Sequence, residues 1–207
     1  MTEAQPEQVR SVIERIAAGL QARGGEGVGE VLSRLAEQDI SDRQFRLPIP
    51  TRKPVVRLLE ATLVSARQLD GKMADGLSKI APHLQWLQST NYSDTILGDG
   101  FSQNYAWCEL VGASGFFAGN DFNLGFLLLG PNRHYLDHFH PAPELYWPLT
   151  AGSLWKKGDG PFLPRVQGEV IWHPSMVIHA TITNEQPLLA AFVWTRDVSV
   201  GAKLCAT

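Results

Sequence analysis

Beyond Gln103 the chain is cut into short apolar segments by turn-forming residues: Gly112, Gly119-Asn120-Asp121, Gly130-Pro131-Asn132, Gly152, Gly158-Asp159-Gly160-Pro161, Gly168 and the stretch from Asn184 to Pro187. Breaks at intervals of about ten residues leave room for strands but not for helices of ordinary length. The segments between them, such as 105–111, 124–129, 169–172 and 188–195, are rich in the β-branched and aromatic side chains that fill a pleated, half-buried surface. Together they predict an antiparallel β-barrel or jelly roll of about 100 residues.

Before about residue 90 the apolar period is helical instead. Val9, Val12, Ile13, Ile16 and Leu20 form one stripe, and Val28, Val31, Leu32 and Leu35 form a second, with Gly24-Gly25 between them. Thr51 and Pro54 open a third, with Val56, Leu59, Leu63 and Ala66 on one face, and Leu77, Ile80, Leu84 and Leu87 suggest a fourth. The segment 39–50, carrying Pro48 and Pro50, reads as an extended connection. The expected fold is therefore mainly β with an α-helical N-terminal region: residues 1–90 helical, residues 91–207 the barrel. The helices are expected to cover one side of the barrel, as a lid or as the contact of a homodimer.

Composition narrows the function classes. The chain is 44% hydrophobic and 19% charged, the values of a folded soluble protein. Its 18 basic and 21 acidic residues are interspersed, so no basic stripe for nucleic acid is visible. The longest apolar runs are far short of the roughly 20 residues that a membrane helix needs. The opening residues, Met1 to Glu7, are polar and acidic, the reverse of a secretory leader, and predict a cytoplasmic protein. Cys108 and Cys205 are too far apart in sequence to form a metal knuckle.

The chemistry concentrates in the second half, where five of the six histidines lie: His134, His138, His140, His173 and His179. On a strand, residues i and i+2 share a face, so His138 and His140 can aim two imidazoles inward together. Pro141 and Pro143 then force a turn, after which Glu144 and Tyr146 share a face by the same rule. Two nitrogens and one carboxylate from adjacent strands make a facial set of metal ligands with open positions, and His179 would complete it. Asp137 is either a partner that fixes an imidazole tautomer or a solvated strand residue. His134 and His173 match no motif position and read as structural, and His83 reads as helical and unrelated.

The string from Gly130 to Gly152, with His-x-His-x-x-x-Glu at 138, 140 and 144, resembles the first motif of the cupin superfamily. Gly168 to Asn184 resembles the second, with Pro174 before His179; Met176 stands where that motif usually has glycine, and Asn184 sits one position late. Tyr135, Glu144, Tyr146, His179 and Trp194, with the segment 99–112, further resemble the cupin dimethylsulfoniopropionate (DMSP) lyases of the DddQ-like branch, over roughly residues 90–195.

That resemblance implies a carbon–sulfur lyase that splits DMSP, a small molecule, into dimethyl sulfide and acrylate. It implies one divalent metal ion held by His140, Glu144 and His179, with His138 beside them and Tyr146 as an additional, labile ligand. It also implies a substrate carboxylate on the metal and a tyrosine, Tyr135 or Tyr146, as the base that takes the α-proton. Histidine and carboxylate ligands accept zinc, iron, manganese, nickel or cobalt alike.

The residue chemistry agrees with these implications. Charge developing on a carboxylate that loses its α-proton is stabilised by a divalent cation, and the same cation favours a phenolate. Aromatic faces bind onium cations. Trp107, Trp147, Trp155, Trp172 and Trp194, with Tyr105, supply such faces, and Trp194 is the expected substrate-binding wall together with Tyr135. The other readings of the same ligand set are a metal-dependent dioxygenase or isomerase, or a non-catalytic ligand-binding cupin.

Overall fold

A computed structural model describes residues 4–90 and 92–205; Met1 to Glu3, part of the leader reading, lie outside them. α1 (Pro6–Arg23) begins with proline in its first turn and buries Val9, Val12, Ile13, Ile16 and Leu20. It ends where Gly24 takes φ 65°, a conformation open to glycine and costly for most other residues. α2 (Val28–Ala36), α3 (Leu59–Leu69) and α4 (Gly71–Ile80) follow, and α4 is capped by Asp70, whose carboxylate accepts from the Met73 amide at 3.0 Å.

The fourth helix is shorter than its apolar spacing predicts. It tightens into a 3₁₀ turn over 81–83 containing Pro82, and the chain is extended from Leu84. Leu84 and Trp86 then alternate with Gln85 and Leu87 as in a strand, and Leu87 exchanges hydrogen bonds with Trp107 at 2.7 and 3.0 Å. Pro82 carries no amide hydrogen to continue the helical ladder, and the half-strand finds its partners in the sheet instead.

Beyond the four-residue α5 (Asp94–Leu97) the chain is β structure, arranged as two five-stranded antiparallel sheets. The first has the order β1 (Tyr105–Val111), β2 (Asn123–Leu129), β9 (Leu188–Trp194), β4 (Glu144–Pro148), β7 (Ile171–His173). The second has the order β10 (Lys203–Leu204), β3 (His134–Phe139), β8 (His179–Thr183), β5 (Ser153–Lys157), β6 (Leu163–Arg165).

Side-chain alternation divides the first sheet into two faces. Ala106, Cys108, Phe126, Trp147 and Ala191 pack with Ile13, Leu63 and Leu77 of the helices into one core. Tyr105, Leu127, Tyr146, Ile171 and Phe192 pack with Tyr135 and Trp155 of the second sheet into another. The layers are thus helices, sheet, sheet, the expected jelly roll with a helical cover, and the inner space lies between the sheets. No helix among the described residues is long and apolar enough to cross a membrane.

The helix-to-sheet contact is tight at Gly19, where an added Cβ would lie 2.2 Å from the buried Trp147 ring. Alanine would improve helix propensity by about 1 kcal/mol, but forcing a methyl into a packed contact costs about 1–3 kcal/mol. Gly19→Ala is therefore expected to lower stability in urea denaturation. An increase would show that the Trp147 ring yields.

Candidate metal centre and its cavity

β3 is not a regular strand. Its pairing with β8 runs His134 to Ile182 and Tyr135 to Thr181, then shifts and resumes with His138 opposite His179. Strict alternation would put Tyr135 on the face opposite His138; the irregularity lets both point inward, as a bulge does. The Tyr135 and His138 rings stack with centroids 4.1 Å apart at 12°.

Three imidazoles are held by the same device. His138 Nδ1 bonds the Leu136 carbonyl at 2.7 Å, His140 Nδ1 that of Ala142 at 2.8 Å, and His179 Nδ1 that of Val177 at 3.0 Å. A carbonyl only accepts, so each Nδ1 carries the hydrogen, and in the neutral ring Nε2 is the free ligand atom. The ligand atoms of His138, His140 and His179 all lie within 4.8 Å of one another, and all three side chains are buried. Glu144 Oε2 lies 3.0 Å from His140 Nε2 and 3.2 Å from His179 Nε2.

Burial opposes ionisation of Glu144, but the hydrogen bonds and positive charge that His140 and His179 offer it when protonated outweigh burial and hold the carboxyl well below its usual range; with those rings neutral, only a bound cation can take that place. Burial, then the charge of His179, holds the His138 imidazole well below its own. Nitrogen lone pairs converging on a buried carboxylate repel unless a cation sits among them. This donor set therefore fits a divalent metal, with backbone carbonyls orienting the imidazoles as metal-bound histidines require.

The expected companions are gathered here as well. A cavity of about 520 Å³ is lined by Tyr135, Glu144, Tyr146, Trp107, Phe192 and Trp194, among others. Trp194 stacks on His140 at 4.2 Å, and Tyr146 packs on Trp155 at 4.8 Å. Burial, then the charge of Glu144 and a hydrogen bond to it, raises the Tyr146 phenol well above its ordinary pKa. Burial, then the neighbouring Tyr105 and Tyr92 phenols, does the same for Tyr135. Trp147 and Trp172 are on the helix side of the first sheet and are not candidates for ligand contact.

One open sequence reading narrows and another changes. Among the described residues the Asp137 carboxylate has no imidazole as its partner; it is partly exposed and pairs with Lys156 Nζ at 2.6 Å. His173, read as structural, enters the site: it lies opposite Glu144 in the β4–β7 ladder and stacks on His179 at 4.2 Å and 13°. It is 1% exposed, and neither ring nitrogen has a hydrogen-bond partner among the described residues. His134 packs against Phe162 at 5.5 Å, away from the centre.

Tyr92 was not anticipated from the sequence. Tyr135 donates its hydroxyl hydrogen to Tyr92 Oη at 2.9 Å. No local pattern marks Tyr92, which stands in a loop; only the three-dimensional approach of that loop to β3 reveals it.

Two facing antiparallel sheets with inward-aimed histidines and a carboxylate define a cupin-type protein able to hold a metal ion. Residues 28–190 match the dimethylsulfoniopropionate lyase family, and the chain belongs to that family of carbon–sulfur lyases. It is 26% identical over 155 residues to dimethylsulfoniopropionate lyase DddQ of Ruegeria pomeroyi, covering 75% of this chain and 76% of the relative. It is 27% identical over 150 residues to the putative dimethylsulfoniopropionate lyase DddL of Cereibacter sphaeroides, covering 70% of this chain but 62% of that protein. The solved structure of DddQ from Ruegeria pomeroyi DSS-3 superposes with TM-score 0.73 at 24% identity over 97% of each chain. A chain from the crystal structures of the DMSP lyases RdDddP and RnDddQII gives TM-score 0.73 at 22% identity, over 97% of this chain and 98% of that one. These two likenesses bear on the fold.

Proposed function

We propose that this protein cleaves dimethylsulfoniopropionate by β-elimination to dimethyl sulfide and acrylate. The observation that carries this reading is a cluster of three backbone-anchored imidazoles converging on Glu144, which itself lines a cavity together with two buried tyrosines. His140, Glu144 and His179 would hold a divalent ion, with His138 beside them and Tyr146 within reach as a labile ligand. Such an ion would supply the positive charge that stabilises a carboxylate losing its α-proton and that favours a nearby phenolate.

The chain's own groups then divide the work. Tyr135, on the cavity wall and stacked on His138, would take the α-proton. Tyr146, whose ionisation the neighbouring Glu144 charge opposes, stands beside the ligand set. The electron pair of the breaking carbon–sulfur bond leaves with sulfur, so dimethyl sulfide departs neutral and needs no acid. Trp194, Trp107 and Phe192 offer aromatic faces to the sulfonium, an attraction worth about 2 kcal/mol or more when desolvated.

Purified, metal-loaded protein given DMSP is expected to form acrylate and dimethyl sulfide in equal amounts with no oxygen uptake. Oxygen consumption, or unreacted DMSP with every divalent metal tried, would contradict the proposal and point to a dioxygenase or isomerase.

A further inference from the structure

The elimination releases one proton per turnover, and that proton must leave the base before the next cycle. An exit separate from the substrate cavity would keep the departing proton clear of substrate and products. The structure contains a second cavity of about 280 Å³, whose lining includes Lys53, Gln88, Ser89, Tyr92, Ser93 and Tyr105. Ser89 and Tyr105 border both cavities, while Tyr135 lines the first and Tyr92 the second. The two phenols meet between them, rings 5.6 Å apart at 73°, with the Tyr135 hydroxyl donating to Tyr92 Oη.

We infer that Tyr92 is the proton exit of the site, passing the proton taken by Tyr135 from the substrate cavity to solvent in the second cavity. This rests on the reading above, with Tyr135 as the base. The balance is simple. The substrate α-carbon–hydrogen bond breaks and its proton joins the Tyr135 oxygen. A proton then passes along the existing hydrogen bond to Tyr92, whose own hydroxyl proton goes to water beside Ser89, Ser93 and Lys53. Tyr135 is left as phenolate, now accepting from Tyr92 the hydrogen bond that it donates when protonated, and is ready for the next substrate.

The proposal singles out Tyr135 over Tyr146 on geometry. Tyr146 packs against Trp155 and His173, beside the ligand set, whereas the Tyr135 hydroxyl is directed away from it, to Tyr92. Tyr92 acts through Tyr135, not on the substrate, and so should matter only from the second turnover onward.

Rapid-quench measurement of acrylate on the full-length, metal-loaded chain tests this. In Tyr92→Phe the first equivalent of acrylate should form at the wild-type rate, followed by a steady state about 100-fold slower; the wild type should show a single linear phase. Metal content, measured on the same samples, should be unchanged. A Tyr92→Phe steady state equal to wild type would overturn the exit, and so would a first turnover slowed as much as later ones, which is the mark of a merely structural residue. Tyr135→Phe, run alongside, separates the premises. If it keeps the wild-type rate, Tyr135 is not the base and the exit falls with it; if it loses both phases while Tyr92→Phe loses none, the base stands and the exit alone is wrong.

Discussion

Tyr135→Phe is expected to lower turnover by about 100- to 10,000-fold, the usual contribution of a positioned proton-transfer group. The ring packing on His138 and Tyr105 survives the substitution, so the protein should stay folded, keep its metal and bind substrate with little change in KM. Tyr146→Phe should behave differently. It removes a phenol oxygen close enough to Glu144 for that carboxylate to oppose its ionisation, so its first effect should be on metal content and only through that on rate. Steady-state kinetics with metal analysis on both variants distinguishes the two roles. Full activity in both would refute a tyrosine base.

The second large effect is expected at the ligands. His179→Ala should reduce metal affinity by more than the roughly 10- to 100-fold that loss of an outer hydrogen-bond partner costs, and dimethyl sulfide release should vanish with it. Because His179 also packs on His173 and His138, some stability should be lost as well. Glu144→Gln keeps the shape and removes only the charge, so it should lose the metal with a smaller change in unfolding midpoint. Metal titration followed by mass spectrometry of the desalted protein would read both. A variant that retains the ion and turns over normally would remove that residue from the ligand set.

Much of this site was legible because strand geometry is local. The two-residue period placed His138 with His140 and Glu144 with Tyr146, and the prolines between them marked the turn correctly, with β4 starting at Glu144. Tyr135 is the exception: alternation alone assigns it to the wrong face, and the irregularity in β3 that returns it to the cavity follows from pairing with β8, not from its neighbours in sequence. His173 was missed for the same reason. Its position opposite Glu144 is a matter of register between β4 and β7, strands 23 or more residues apart in the chain that no short pattern connects.

The helical region shows a different limit. Leu77 and Ile80 are buried helical residues as expected, but Leu84 and Leu87 continue that spacing by coincidence across Pro82. Burial at Leu84 and Trp86 has the period of a strand, and what settles the matter is the hydrogen-bonding edge supplied by Thr51 and Trp107, which lie 20 or more residues away in sequence.

The most direct test of the central claim is headspace gas chromatography for dimethyl sulfide after mixing DMSP with protein that is metal-loaded, chelator-stripped, or stripped and reloaded. The account predicts release from the first, none from the second and recovery in the third. Release that persists at full rate after stripping, or its absence from all three, would contradict a metal-dependent DMSP lyase built on His140, Glu144 and His179.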